Sequence, residues 1–474
     1  MKKAKIINLL IGICLFFLPE LLLPREIFTS SAARYSIGCV LWMAYWWITS
    51  PVDLAVTAFI PIVVNAFFNV TDSSSVLSQY ANDTIILILG ASIVSASWED
   101  SGLNRRIAIT FMNFAGNSLR AQVIFWFLLS TCMSMVLANV AVAAALTPLA
   151  VSILGAGSSD DRNVGKTMSG SFVLMAIAWG AGLGGLASPL GGAMNLVVIN
   201  YLEQVSGQEY MYIDWVVRFL PIMLVLILSN VLYLYFAVPK NKKILNAVDN
   251  EHLMIKSQPK MSFAEKCGLI LFSAAVILTF ARPLYDQLLP GLKPAYIYVF
   301  AGVLSFLIPD GKGEAISDWT TVEKRINWGI LYIIAGGLAA AQMLSDTGAD
   351  AMLGKVIFNA GLDNKLVLIT LFVTLPLIMS DITSNTATAA VFMPIVVTVT
   401  SSLGLNPIPY IYMATIGVNL SYSLPTSVRA IPIGYGMPPK LMLKHGLKLS
   451  LIVIVLLVPL CYVLLEYWPL FLTV

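Results

Sequence analysis

The chain has 474 residues, of which 58% are hydrophobic and 11% charged, and its mean hydropathy is +0.84. Soluble domains carry roughly a quarter charged residues, so this composition excludes a soluble globular protein and predicts an all-α integral membrane fold. The formal net charge of +3 provides no basic surface for nucleic acid, and no such partner is expected.

Met1-Lys2-Lys3 and the apolar run that follows look like a signal peptide, but no small-x-small cleavage site closes the run. The expected reading is an uncleaved first transmembrane helix within 1–33. Apolar windows then fall near 36–50, 53–70, 84–97, 121–137, 140–156, 168–186 and 213–238. A polar, lysine-rich stretch at 239–262 reads as a cytoplasmic linker, and Leu103–Ser118 as a segment lying flat on the membrane surface. Beyond the linker, windows recur near 265–281, 294–308, 328–344, 366–380, 387–400, 408–424 and 447–471.

The pairs at 121–156 and 366–401 each hold a polar tripeptide between half-length apolar runs, the pattern of a re-entrant hairpin. About eleven crossing helices remain. With the N-terminus cytoplasmic, twenty Lys and Arg fall on the inner side and six on the outer, leaving Arg218 and Arg429 inside spans. Arg218 follows Asp214 by one helical turn, a spacing that suits a structural pair.

The five cysteines are scattered through apolar runs, matching neither a disulfide framework nor a zinc site. His252 and His445 are expected in polar connecting segments. No cluster of His, Asp or Glu within the spans suggests an enzyme.

Shifting the sequence by 246 residues superimposes the two hairpins. Residues 138–153 and 384–399 share six of sixteen identities, including Asn139 with Asn385 and Pro148 with Pro394. Met133-Ser134 meets Met379-Ser380, and Gly90 meets Gly336. Five crossings separate equivalent points, so the second copy is expected inverted. The predicted organisation is one repeat over 34–238 and another over 263–474, the mark of an alternating-access carrier.

A helix interrupted at midplane presents its first-turn N–H groups and the positive end of its dipole, a setting for an anion. Asn139 and Asn385 add amides, and Ser384, Thr386 and Thr388 add hydroxyls. The glycine- and proline-rich stretch 182–192 cannot remain a regular helix, and 421–429 occupies the corresponding place in the second half. Asp381 is expected to cap the second half of the hairpin or to bond a backbone amide near the outer surface, rather than to contact substrate.

With its paired hairpins, its Ser384-Asn385-Thr386 tip preceded by Asp381, its break at 184–192 and its central linker, the chain resembles the divalent anion/sodium symporter family along nearly its whole length. The resemblance implies an elevator-type homodimer, surrounded by membrane lipid, that carries small dicarboxylates and two sodium ions. By position it implies that Asn139, Asn385 and Thr386 contact the substrate; Ala138, Val140, Pro189, Gly192, Ser384, Pro425, Thr426 and Arg429 complete the expected substrate-binding set. It places Ser134, Asn139 and Gly191 at one cation position, and Ser380 and Asn385 at the other.

The first tip departs from the family's Ser-Asn-Thr pattern: Ala138, Val140 and Val142 stand where the second tip has hydroxyls. The family's Thr-Pro-Pro-Asn sequence is also missing after the second break, where Arg429 stands near the place of its Asn. These departures favour sodium-independent exchange of dicarboxylates such as succinate, malate, fumarate or 2-oxoglutarate, with Arg429 as the substrate's countercharge. The alternative is a sodium-coupled symporter.

Overall fold

A computed structural model describes residues 3–100, 103, 106, 110, 118–154, 161–239, 260–309, 315–349, 352 and 364–474. His252, nearly all of the surface segment 103–118 and most of the linker 239–262 lie outside these residues. Apart from one isolated bridge between Pro309 and Ala315, the described residues form helices and their connections.

Among the described residues, the sixteen α-helices of nine residues or more carry the architecture. The first four are α1 (Lys3–Leu22), α2 (Ser31–Thr49), α3 (Ile60–Phe68) and α4 (Asp83–Asp100). They are followed by α5 (Leu119–Ser134), α6 (Asn139–Leu154), α7 (Met168–Gly184), α8 (Ala193–Ser206) and α9 (Tyr212–Ala237). After the linker come α10 (Phe263–Phe280), α11 (Pro294–Leu307), α12 (Trp328–Asp346) and α13 (Lys365–Ile382). The last are α14 (Asn385–Ser402), α15 (Pro407–Asn419) and α16 (Pro439–Tyr467). Nine helices among the described residues are long and apolar enough to cross a membrane. The fold is therefore an all-α, multi-pass membrane protein.

The starts of the helices follow capping chemistry. Ser30, Ser118, Thr167 and Ser384 each accept a backbone N–H from the first turn of the helix that follows, and Ser262 with Glu265 forms a full capping box ahead of α10. Pro407 and Pro439 open α15 and α16, where a missing N–H costs nothing.

Burial separates the helices into layers. The stretch of α7 from Gly170 to Ala181 and that of α15 from Pro409 to Asn419 are buried throughout. By contrast α1, α9, α10 and α16 expose rows of Leu, Ile and Phe, as helices facing lipid tails do. α5 packs on α7, and α13 on α15, with small residues permitting the approach. A Cβ on Gly180 would overlap the Phe127 carbonyl, and one on Gly417 would overlap that of Val373. Phe127 and Val373 are separated by the same 246 residues as the two hairpins.

His445 does not sit in a polar connection. It lies inside α16, with Nδ1 2.9 Å from the Tyr233 hydroxyl and its ring against Phe172. The sequence conceals this because Lys440, Lys444 and Lys448 depress the hydropathy of the first turns of α16. Long lysine stems nevertheless tolerate a helix that starts at a membrane face. Arg218 pairs with Asp214 at 3.0 Å, and its Nε donates to the carbonyls of Leu470 and Thr473, which ties α9 to the chain's end.

Candidate functional site

Four interruptions define the site. The first hairpin turns at Met135–Ala138 and the second at Thr383–Ser384; the helical breaks lie at 185–192 and 420–429. The four stretches 121–154, 167–202, 366–402 and 407–438 contain only two charged residues, Asp381 and Arg429.

At both hairpins the residue four or five positions before the tip fixes the turn in the same way. Ser134 Oγ donates to the Ala181 carbonyl at 2.7 Å, and Ser380 Oγ to that of Val418 at 2.8 Å. Each hydroxyl spends its proton on the neighbouring helix and keeps two lone pairs, which a cation could use. Asn139 opens α6 and Asn385 opens α14; they are 8% and 7% exposed. The Asn139 Oδ1 accepts its neighbour's N–H, from Val140, at 2.8 Å, and the Asn385 Oδ1 accepts from Ser421 at 3.4 Å. Val140 is exposed, whereas Thr386 and Thr388 are buried.

The first break is held by donors to the carbonyls that the missing helical turn releases. Trp215 Nε1 donates to Leu186 at 2.8 Å, and Asn195 Nδ2 donates to Gly185 at 2.6 Å and to Ser188 at 2.8 Å. Ser188 donates in turn to the Met135 carbonyl, which joins the break to the first hairpin. Gly191 packs against Gly185 and the Ser134 carbonyl so closely that no Cβ would fit. Pro189 is buried, and Gly192 is an extended residue at the start of α8.

The second break is organised by charge. One carboxylate oxygen of Asp381 accepts the N–H groups of Tyr422 at 2.8 Å and Ser423 at 2.9 Å. Of the two roles expected for Asp381, it bonds backbone amides, while Ser384 caps the second half of the hairpin. Arg429, 3% exposed, lies 3.7 Å from the same carboxylate oxygen. Its Nε donates to Leu424 O at 2.6 Å, and one terminal nitrogen donates to Ser380 O at 3.2 Å and Thr426 Oγ1 at 2.5 Å. The other donates to Ser421 Oγ. The guanidinium is thus committed to its own chain, beside Ser380, with Ser421 linking it to Asn385. Ser427, next to Pro425 and Thr426, takes a left-handed φ of 50° that L-residues other than Asn and Asp rarely adopt.

Cross-contacts join the halves. α6 packs against the Ser427–Arg429 turn, and α8 packs on α14. Trp179 Nε1 donates to Tyr422 O at 3.0 Å, and Asn230 Nδ2 to the Tyr422 hydroxyl at 3.2 Å. Sequence reasoning missed Asn195, Asn419, Trp179 and Asn230. Each lies outside the repeated motif, and only tertiary contact shows its role.

The sequence matches the model of the family described as "Citrate transporter" (CitMHS) over residues 44–417, well over half of the chain. Among curated proteins it is 28% identical to the "Sodium-dependent dicarboxylate transporter SdcS" of Staphylococcus saprophyticus, with 97% of this chain and 91% of that one aligned. It is 27% identical to the protein of the same name from Staphylococcus aureus, at the same coverage. Among solved structures, the Alcanivorax borkumensis YdaH transporter shares the fold, with a TM-score of 0.53 at 13% identity over 84% of this chain and 88% of that one. The chain belongs to the citrate transporter family and is a membrane transporter, not an enzyme.

Proposed function

We propose that the protein is a secondary transporter of four- and five-carbon dicarboxylates, built from two inverted repeats, and that it moves them together with sodium. The two hairpin tips, Asn139 on one side and Ser384, Asn385 and Thr386 on the other, hold the two carboxylates; Pro189, Gly192, Pro425 and Thr426 shape the walls. The observation that carries the coupling is the pairing of Arg429 with Asp381. A lone guanidinium would serve as the substrate's countercharge and would hold back an empty site, the argument for exchange. Neutralised by Asp381, it leaves the broken segments with no net side-chain charge, so a dianion needs cations that travel with it. Ser134, Asn139 and Gly191, and Ser380 with Asn385, are the oxygen-bearing positions where they would bind. The named relatives, sodium-dependent dicarboxylate transporters, support the same reading.

Movement of the broken segments as an elevator within a homodimer, with the N-terminus cytoplasmic, completes the proposal. Exchange is the second reading, because Ala138, Val140 and Val142 give the first tip no hydroxyls. Uptake of labelled succinate into liposomes separates the two. Sodium coupling predicts accumulation driven by an inward sodium gradient into liposomes without internal substrate. Uptake that requires internal dicarboxylate and ignores sodium would instead establish exchange.

A further inference from the structure

Asn195 and Asn419 form a direct side-chain link between the two breaks. Asn195 has none of its surface exposed, and Asn419 has 1%. Both N–H groups of Asn195 are spent on the first break, one on Gly185 O and one on Ser188 O, so the amide draws the two ends of that break onto itself. Its Oδ1 then accepts from Asn419 Nδ2 at 2.9 Å. Asn419 is the last residue of α15, immediately before the second break, and its Nδ2 also donates to the Thr415 carbonyl at 3.0 Å. This amide pair therefore ties the segment around Gly185–Gly192 directly to the segment leading to Arg429, beside the bond from Trp179 to the Tyr422 carbonyl.

The pair carries an uncompensated defect. Asn419 Oδ1 is buried without a hydrogen-bond partner. A buried acceptor left unpaired costs stability, and an apolar side chain of the same shape would not incur that cost. What the asparagine supplies in return is the donor to Asn195 across the two breaks.

We propose that Asn195 and Asn419 are positioning residues that set substrate-length selectivity. By fixing the separation of the two half-sites, the bond determines whether a four-carbon or a five-carbon diacid reaches both tips. This inference rests on the dicarboxylate reading above.

The test uses the full chain reconstituted in liposomes, with KM and maximal rate measured for succinate and for 2-oxoglutarate. Asn419→Leu keeps the branched shape and the number of heavy atoms, and removes the bond and the orphaned oxygen while leaving Asn195 Oδ1 unpaired in its place, one orphan exchanged for another. Its melting temperature in detergent should stay close to that of the parent, while the ratio of the two KM values shifts by roughly fivefold to tenfold, the equivalent of one hydrogen bond. Asn419→Asp supplies a second readout that does not depend on Asn419→Leu folding. A protonated acid can donate to Asn195 Oδ1 and an ionised one cannot, so the KM ratio, normalised to the parent at each pH, should match the parent at low pH and depart from it at high pH. Ratios that stay within twofold of the parent in both variants, or KM values that rise together for both diacids, would overturn the inference. A parent protein that carries neither diacid would overturn the dicarboxylate reading itself, so the two failures are distinguishable.

Discussion

A guanidinium as buried as Arg429 keeps its charge only because Asp381, two hydroxyls and two carbonyls surround it. Asp381 in turn accepts two backbone N–H groups. Removing one member of a buried pair costs about 3–5 kcal/mol when the other is left bare. Asp381→Asn leaves the guanidinium four hydrogen bonds but no countercharge, and Arg429→Gln leaves the carboxylate two backbone N–H groups but no countercharge. Each should cost an amount up to that range, and the double variant should recover part of the loss. Thermal unfolding of the four proteins in detergent gives the comparison, and a double variant whose loss equals the sum of the two single losses would contradict the coupling. Arg429→Gln should also raise the KM for a dianion, because it leaves the broken segments with a net negative side chain. The sequence marked Arg429 as a basic residue inside a span but assigned it to the substrate. Its pairing depends on how α13 meets the second break, which no local spacing records.

At the scale of elements, the hairpins were the most legible feature. The windows 121–156 and 366–401 correspond to α5–α6 and α13–α14 because a polar tripeptide between two half-length apolar runs has few other solutions in a membrane. Less legible was α16, which begins at Pro439, upstream of the apolar window at 447, and carries Gly446 against the second break. A Cβ at Gly446 would overlap the Tyr422 carbonyl and press on the Ser423 backbone, neither of which can rotate away. Gly446→Ala should therefore destabilise the protein by about 1–3 kcal/mol, the usual cost of overpacking, and should lower transport by displacing the segment that Asp381 fixes. Gly182, in the interior of α7, has nothing within 4 Å of the same position. Gly182→Ala should gain up to about 1 kcal/mol from helix propensity. Unfolding temperatures that move in opposite directions would support the close approach of α16 to the break; a tolerated Gly446→Ala would contradict it.

Across the whole molecule, the repeat is carried by contacts as much as by identities. Ser134 to Ala181 and Ser380 to Val418 are the same bond made twice, and neither acceptor could be named from a carbonyl's sequence position. The proposed movement also has to break something. Arg282, 2% exposed, makes a two-pronged pair with Glu209 at 2.9 and 3.0 Å and donates to the carbonyls of Leu289 and Pro290. Glu209 sits in the connection from α8 to α9, and Arg282 in that from α10 to α11, so the pair joins a segment next to the breaks to one outside them. If the broken segments shift as a body in each cycle, this pair parts and re-forms. A partly exposed ion pair contributes about 1 kcal/mol, so Glu209→Gln should change the balance between conformations by about fivefold. The expected result is faster hydrogen exchange at 207–211 and 281–292, together with a maximal transport rate raised by up to about that factor. Exchange and rate both unchanged would mean that the two connections stay together throughout the cycle, and the moving boundary would then have to lie elsewhere in the fold.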